Sequence, residues 1–485
     1  MTVRLETLEY LFNPASVAFI GATQAKPKWG FIVFNNLVSA GYEGEVYPVN
    51  PGHQELLGLK CYPSVREIPY DVDLAVFTVP ARHVLPAMDD CIAKGVKAAL
   101  VITAGFSELG GEGAALEAEL VRKADGAGMV LVGPNGQGAC CPSSRFYSWM
   151  PLFYPPAGSV SVVSQSGNIL NMLIAQVLEA GFGVSKGVSS GNEAQLKTED
   201  YFTYLASDPS TEAIVAYIEG VEDGRRFLEL SRAAARAKPV VILKGGRSSV
   251  GMKAAGSHTG ALAGSAELFE SACRQSGLVV APTIDQAGIN ASSFINRPLP
   301  AGRRVAIVTG GGGLGVIAAD SCADMGLQIP RLSEPTLEKI GAFMPDYWVP
   351  GNPVDLVAGL DLRVTKPILE ALLTCGEVDS VLLIFIESQR SKAVKVTEVD
   401  GRPFEIGVIW DMMTQQMAAY LADLYVLARE VGVPLFVSSN FEKVGGATPG
   451  TLGGGKNPMV YLNVESACAA MAAMVEYSEF RRSDR

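Results

Sequence analysis

His258 is one of only three histidines in a chain of 485 residues, and it stands in the stretch AAGSHTGALAGS at 254–265. Its neighbours Gly256, Ser257, Thr259, Gly260 and Ala261 offer no bulk against which a core imidazole could pack. A loop of small residues presenting a single imidazole points to nucleophilic or acid–base chemistry. Two further stretches carry residue types that handle anions. Ser164-Gln165-Ser166-Gly167 stands between an apolar run and a helix-like one. Small residues there let an anion approach a helix N-terminus, and hydroxyls can donate to it. A capping turn without ligand is the competing reading. Gly21-Ala22-Thr23 follows the apolar run SVAFI in the same way. Glu219 closes AIVAYIEG, and Lys244 precedes the His258 loop. For Glu219 the plain alternative is a surface carboxylate, or one paired with Arg225 or Arg226.

These residues need a scaffold, and the apolar pattern supplies one. Short apolar runs at 16–21, 44–50, 73–80, 98–103 and 129–133 alternate with helix-like stretches, among them Phe31 to Ala40. Further runs follow at 213–220, 238–246, 303–309, 380–388 and 433–439. Strands alternating with helices predict an α/β protein built on parallel doubly wound sheets, whose sites lie beyond the carboxyl ends of the strands. Length predicts about three domains, at roughly 150 residues each. The divisions fall at 1–150, 151–298 and 299–485. The polar segment 391–412 reads as a loop or extension.

The first glycine turn reads as a nucleotide site that holds a pyrophosphate, with NAD disfavoured because YPVNPGH offers Asn50 where NAD sites place an acidic residue; a glycine turn without ligand is the alternative. The third block contains a literal GxGxxG at Gly310, Gly312 and Gly315. In a run of glycines, without an acidic residue closing a second strand, it reads as plain structure. It also lacks the lysine of a P-loop.

The net charge of −11 and the absence of a basic stripe argue against nucleic acid. No apolar run reaches 18 residues and no leader pattern opens the chain, which predicts a cytoplasmic protein off the membrane. Eight scattered cysteines without CxxC or Cys/His spacing predict reduced thiols and no metal cluster. His53 and His83 have no partner motif and read as structural.

Taken in order, SVAFIGAT, GEVYPVNP, FTVPA, GPN, VSQSG, GNEA, YIEGVEDGRRF, KGGRSSVGMKAAGSHTGALAGS, GGGGLGVIAAD and GNPVDL span nearly the whole chain. Together they resemble the alpha subunit of the NDP-forming (ADP-forming) acyl-CoA synthetases, the acetate–CoA ligases related to succinyl-CoA synthetase. The resemblance implies a Rossmann-like CoA-binding domain followed by two flavodoxin-like domains, and a ligase that forms carbon–sulfur bonds. It implies coenzyme A, magnesium arriving with ADP or ATP, a small carboxylic acid or its acyl-CoA as substrate, and a hetero-oligomer with an ATP-grasp beta subunit. By the same resemblance His258 becomes phosphorylated and Glu219 binds its other ring nitrogen. Ser166, Gly167 and Gly260 would hold phosphate. Gly21, Thr23, Val79 and Pro80 would lie along coenzyme A, with Asn135 near its thiol. One departure stands out: relatives often carry Cys after GPN, whereas here Gly136-Gln137-Gly138 follows. A Rossmann oxidoreductase and a non-catalytic CoA-binding or regulatory subunit are the rival readings.

Overall fold

The computed structural model describes residues 5–248, 250–251, 266–357, 362–385, 397–399, 402–404, 406–439 and 459–483. Its first sheet holds five parallel strands, Ser16–Ile20, Glu45–Val49, Leu74–Phe77, Ala98–Val101 and Val130–Val132. Numbered along the chain, they lie side by side in the order 2-1-3-4-5. Phe19, Val76 and Leu100 on one face and Ile20, Phe77 and Val101 on the other are all buried. The strands are therefore continuous apolar runs with no polar alternation, as a parallel sheet covered twice requires. Strand 1 lies between strands 2 and 3, with Ile20 beside both Val49 and Phe77. The connections from strands 1 and 3 leave in opposite directions there and open a crevice at their carboxyl ends.

The same order recurs twice. In the second sheet, Ala157–Ser164, Val184–Ser189, Ala213–Ile218, Val240–Lys244 and Val279–Ala281 again run 2-1-3-4-5. The third sheet repeats it with Val305–Thr309, Val354–Asp355, Ser380–Phe385, Leu435–Ser439 and Val460–Tyr461. The second sheet is also extended by an antiparallel hairpin, Gly138–Cys141 with Phe146–Trp149, paired to Val184–Ser189. Sequence reading left these residues in the first block, up to 150. Pairing places them with the second sheet, and the helix Trp29–Ser39 fastens them to the first: Asn36 Nδ2 donates to the carbonyls of Trp149 and Pro151 at 2.9 and 2.7 Å.

Met1–Leu178 with Gly183–Ala291 form one compact unit, and Ser292–Arg485 with Glu179–Phe182 form another. The first two sheets belong to the first unit and the third sheet to the second. The segment 391–412 is not simply a loop. Thr397–Val399 pairs antiparallel with Arg402–Phe404, and a helix runs from Ile406 to Val431. Apolar and helix-favouring residues from 406 onward outweigh the polar stretch before them. All eight cysteines are free thiols. Among the described residues no helix is long and apolar enough to cross a membrane.

Candidate active site

In the first unit the two carboxyl-end crevices open into one cleft of about 1610 Å³. That exceeds the roughly 300–1,000 Å³ of a pocket for one compact small ligand. Gly21, Thr23, Val79, Pro80, Asn135, Ser166, Gly167 and Glu219 all line it. His258 and Gly260 lie outside the described residues. Exposed His53 and His83 do not line the cleft.

At one end, the chain leaves strand Ser16–Ile20 through Gly21, at φ +93°. A methyl group on Gly21 would come within 2.9 Å of both Thr78 Oγ1 and Val79 Cγ1. A methyl on Gly30 would come within 2.4 Å of the Gly21 carbonyl oxygen, so both glycines are needed for the helix to start this close to the strand end. Asn50 Nδ2 donates to the Ala22 carbonyl at 2.8 Å, and Thr23 Oγ1 accepts from the Ala25 N–H at 3.1 Å. Asn50 therefore holds the loop itself, in the place where NAD sites carry an acid. Lys28 and the half-exposed Trp29 line the cleft beside this helix start. Sequence reading missed both; the only signal was a cation and an aromatic ahead of a helix.

In the middle, Asn135 sits at φ +62°, with its N–H on the Thr103 carbonyl at 3.0 Å and its Nδ2 on Asn192 Oδ1 at 3.1 Å. Asn192 Nδ2 donates in turn to Glu108 Oε2 at 2.7 Å and Glu117 Oε2 at 2.8 Å, joining the two sheets across the cleft floor. The glycine after GPN has a local reason. A Cβ at Gly136 would stand 2.5 Å from the Ser189 carbonyl oxygen. Next, Gln137 Nε2 donates to Asn168 Oδ1 at 3.0 Å, and Asn171 Nδ2 donates to Gln137 Oε1 at 3.1 Å.

At the other end, the helix Gly167–Glu179 makes its first backbone bond from Leu170 N–H to the Ser166 carbonyl, 3.0 Å. The earlier amides of that turn precede the helical ladder and carry the positive end of its dipole. Ser164 Oγ fixes the turn, donating to the Ser166 carbonyl at 2.6 Å. Half-buried Glu219 lines the cleft as well, and its charge is felt by the Tyr217 hydroxyl. Burial, and then the Glu219 charge, push that hydroxyl up to about 12. Arg226 does not pair with Glu219. Its guanidinium holds Glu199, at 2.6 Å, and Asp200. Buried Glu193 is a third residue missed from sequence. It accepts from Ser190 Oγ at 2.7 Å, Thr198 Oγ1 at 2.5 Å and Gln165 Nε2 at 2.9 Å, and burial pushes its carboxyl up nonetheless.

Strand Val240–Lys244, which leads to the His258 segment, ends beside the Glu219 turn: Ile218 is paired with Lys244. In the second unit, the helix Gly312–Asp324 starts against a carboxylate of its own, since a methyl on Gly312 would lie 2.9 Å from Asp355 Oδ2. The GxGxxG there is a turn already facing an anion. Among the described residues no group of three or more His, Cys, Asp or Glu could hold a metal.

Comparisons with known proteins agree with this arrangement. The family model of a CoA binding domain matches residues 15–141, that of a succinyl-CoA ligase like flavodoxin domain 157–291, and that of a ligase-CoA domain 305–386. The chain is 43% identical over 352 residues to the acetate–CoA ligase [ADP-forming] II subunit alpha of Pyrococcus furiosus, covering 72% of this chain and 76% of that one. It is 40% identical over 391 residues to acetate–CoA ligase [ADP-forming] I of Archaeoglobus fulgidus, covering 81% of this chain and 56% of that longer one. Among solved structures it is similar to the dinucleotide-forming acetyl-coenzyme A synthetase 1 of Candidatus Korarchaeum cryptofilum, solved with phosphate and ADP. That likeness has a TM-score of 0.85 at 33% identity, over 98% of this chain and 97% of that one. The chain belongs to the family of ADP-forming acetate–CoA ligase alpha subunits, ligases that form carbon–sulfur bonds.

Proposed function

We propose that this chain interconverts acyl-CoA, phosphate and ADP with a carboxylic acid, coenzyme A and ATP, through a phosphohistidine at His258. One observation carries the reading: a single cleft joins the glycine turn of the first sheet to the Ser166–Gly167 helix start and Glu219 of the second. Coenzyme A lies along Gly21, Thr23, Val79 and Pro80, with its thiol toward Asn135. A phosphate oxygen attacks the thioester carbonyl, the C–S bond breaks, and the thiolate leaves and takes up a proton. The resulting acyl phosphate is held by Ser166, Gly167 and Gly260, where helix amides favour an anion. An imidazole nitrogen of His258 then takes the phosphoryl group and the carboxylate leaves. Glu219 binds the other ring nitrogen, raising nucleophilicity and balancing the charge that develops. A β-phosphate oxygen of ADP finally attacks phosphorus, the P–N bond breaks and ATP forms.

The third and last transfer needs a nucleotide site. The relatives named as alpha subunits support a second subunit here, which we take to be an ATP-grasp beta subunit that binds ADP with magnesium. On this reading the His258 segment carries the phosphoryl group from one site to the other. The test is incubation of the chain with acetyl-CoA and radiolabelled phosphate. Acid-labile, base-stable label that disappears in His258→Ala is the expected result. Label that persists in His258→Ala overturns the assignment to His258, whereas none in the wild type alongside firm CoA binding favours the reading as a non-catalytic CoA-binding subunit.

A further inference from the structure

Two side chains beside the cleft have no part in these steps, yet both grip the main chain of Glu219. Strands Ala157–Ser164 and Ala213–Ile218 are paired up to Ser164 and Tyr217, and the Gln165 N–H on the Tyr217 carbonyl, 3.2 Å, is a last backbone bond. Beyond it the Gln165 side chain takes over. Its Oε1 accepts from the N–H groups of Glu219 and Gly220 at 2.6 and 3.1 Å, and its Nε2 donates to the Gly220 carbonyl at 3.0 Å. On the other flank, the Gly245 N–H donates to the Ile218 carbonyl at 2.9 Å. One residue further on, Lys244 Nζ donates to the Glu219 carbonyl at 2.8 Å and also to the Gly245 carbonyl. Both ladders are thus continued by side chains past the point where the strands end.

Lys244 is 8% exposed, and its ammonium stands 5.6 Å over the Phe269 ring. A neutral donor could serve the same two carbonyls without desolvating a charge. Burial pushes the Lys244 ammonium down, opposed by the charges of Glu219, Cys273 and Glu270.

We propose that Lys244 and Gln165 are positioning residues for phosphoryl transfer, clamping the Glu219 peptide from opposite sides, with Lys244 tying it to the start of the segment that leads to His258. This rests on the phosphohistidine reading. The orientation of the Glu219 carboxylate and the launch point of the His258 segment are then set by one ammonium group, which acts through Glu219 and touches no reactant.

The test is single-turnover phosphorylation of the full chain with acetyl-CoA and labelled phosphate, alongside CoA affinity by calorimetry. Lys244→Met should slow phosphorylation at least tenfold and leave the Kd of CoA within about twofold. Lys244→Gln, which keeps an N–H donor, should recover part of the rate. In a Glu219→Gln background, Lys244→Met should cost less than a further threefold, because a residue acting through Glu219 has nothing left to position. Wild-type rates in Lys244→Met, or losses that multiply in the double variant, would overturn the proposal. Should Lys244→Met lose CoA binding, Gln165→Met reads the other side of the clamp by the same measurements, and an unchanged rate there overturns it equally. Absence of label in the wild type would sink the phosphohistidine reading itself, a result distinct from either.

Discussion

Replacing Glu219 by Gln keeps the shape of the side chain but removes a negative charge from the cleft that Ser166 and Gly167 also line. Phosphorylation of His258 should fall by about 10²-fold, the usual worth of an acid–base partner. CoA affinity should stay unchanged by calorimetry, because Gly21, Thr23, Val79 and Pro80 line the part of the cleft built on the first sheet. An unchanged single-turnover rate would return Glu219 to a surface role, although of the two arginines that could have paired with it, Arg225 and Arg226, the latter is already taken by Glu199 and Asp200. Gly136 offers a second test of similar size. Its Cβ position is 2.5 Å from a backbone carbonyl, which cannot swing aside as the end of a side chain could. Gly136→Ala should lower stability by about 1–3 kcal/mol, the range for overpacking a tight site, and displace Asn135 and Gln137. The checks are the thermal unfolding midpoint and a weaker Kd for CoA; wild-type values in both would mean that Ser189 can retreat.

Elements were legible where one physical signal dominated. The longer apolar strands left runs whose carboxyl ends could be named to within a few residues, which is why Gly21, Ser166 and Glu219 were found before their neighbours in space. The short strands Val279–Ala281, Val354–Asp355 and Val460–Tyr461, and the buried but polar VSKGVS of Val184–Ser189, left none. The hairpin Gly138–Trp149 was not legible, because its membership depends on pairing with Val184–Ser189 far along the chain, and no local pattern records that. Gln165, Glu193 and Lys244 escaped as site residues for the same reason: their contacts with the Glu219 turn, or with one another, span 25 to 55 positions. The strand Val184–Ser189 also carries buried Lys186, whose ammonium lies 2.7 Å from Asp208 Oδ2, just past the helix Thr198–Ser207. Burial pushes the Asp208 carboxyl up. Hydrogen bonds from Lys186, Thr211 and Ser210, with the Lys186 charge, outweigh this and hold it down to about 2, against an ordinary 3.8. A carboxyl lowered on folding stabilises fully above its ordinary value and loses that contribution as pH falls toward the folded one. Urea unfolding between pH 5 and 2 should therefore show stability falling most steeply below about pH 4. Asp208→Asn should flatten that limb and cost about 3–5 kcal/mol near neutrality, since it strands a buried ammonium. An equally steep acid limb in the variant would assign the effect to other carboxylates.

For the molecule as a whole, three sheets built on one strand order do not make three equivalent sites. The first two open their crevices into a common cleft, and the third closes its glycine turn against Asp355. None of the three supplies a P-loop lysine after its glycine turn. The purified chain should accordingly take label from acetyl-CoA and phosphate yet transfer it to ADP only after a beta subunit is added. Robust ATP synthesis by the single chain would contradict this. The carboxylate at the third turn has a further consequence, for stoichiometry. Three equivalent crevices would titrate with three equivalents of a phosphate-bearing ligand. With two crevices merged and the third facing its own negative charge, coenzyme A should saturate at one equivalent per chain, in a single calorimetric step. Asp355→Asn should leave that count at one, because the amide still occupies the space over Gly312. On that outcome the third repeat keeps the shape of a binding fold while adding no capacity for the ligand.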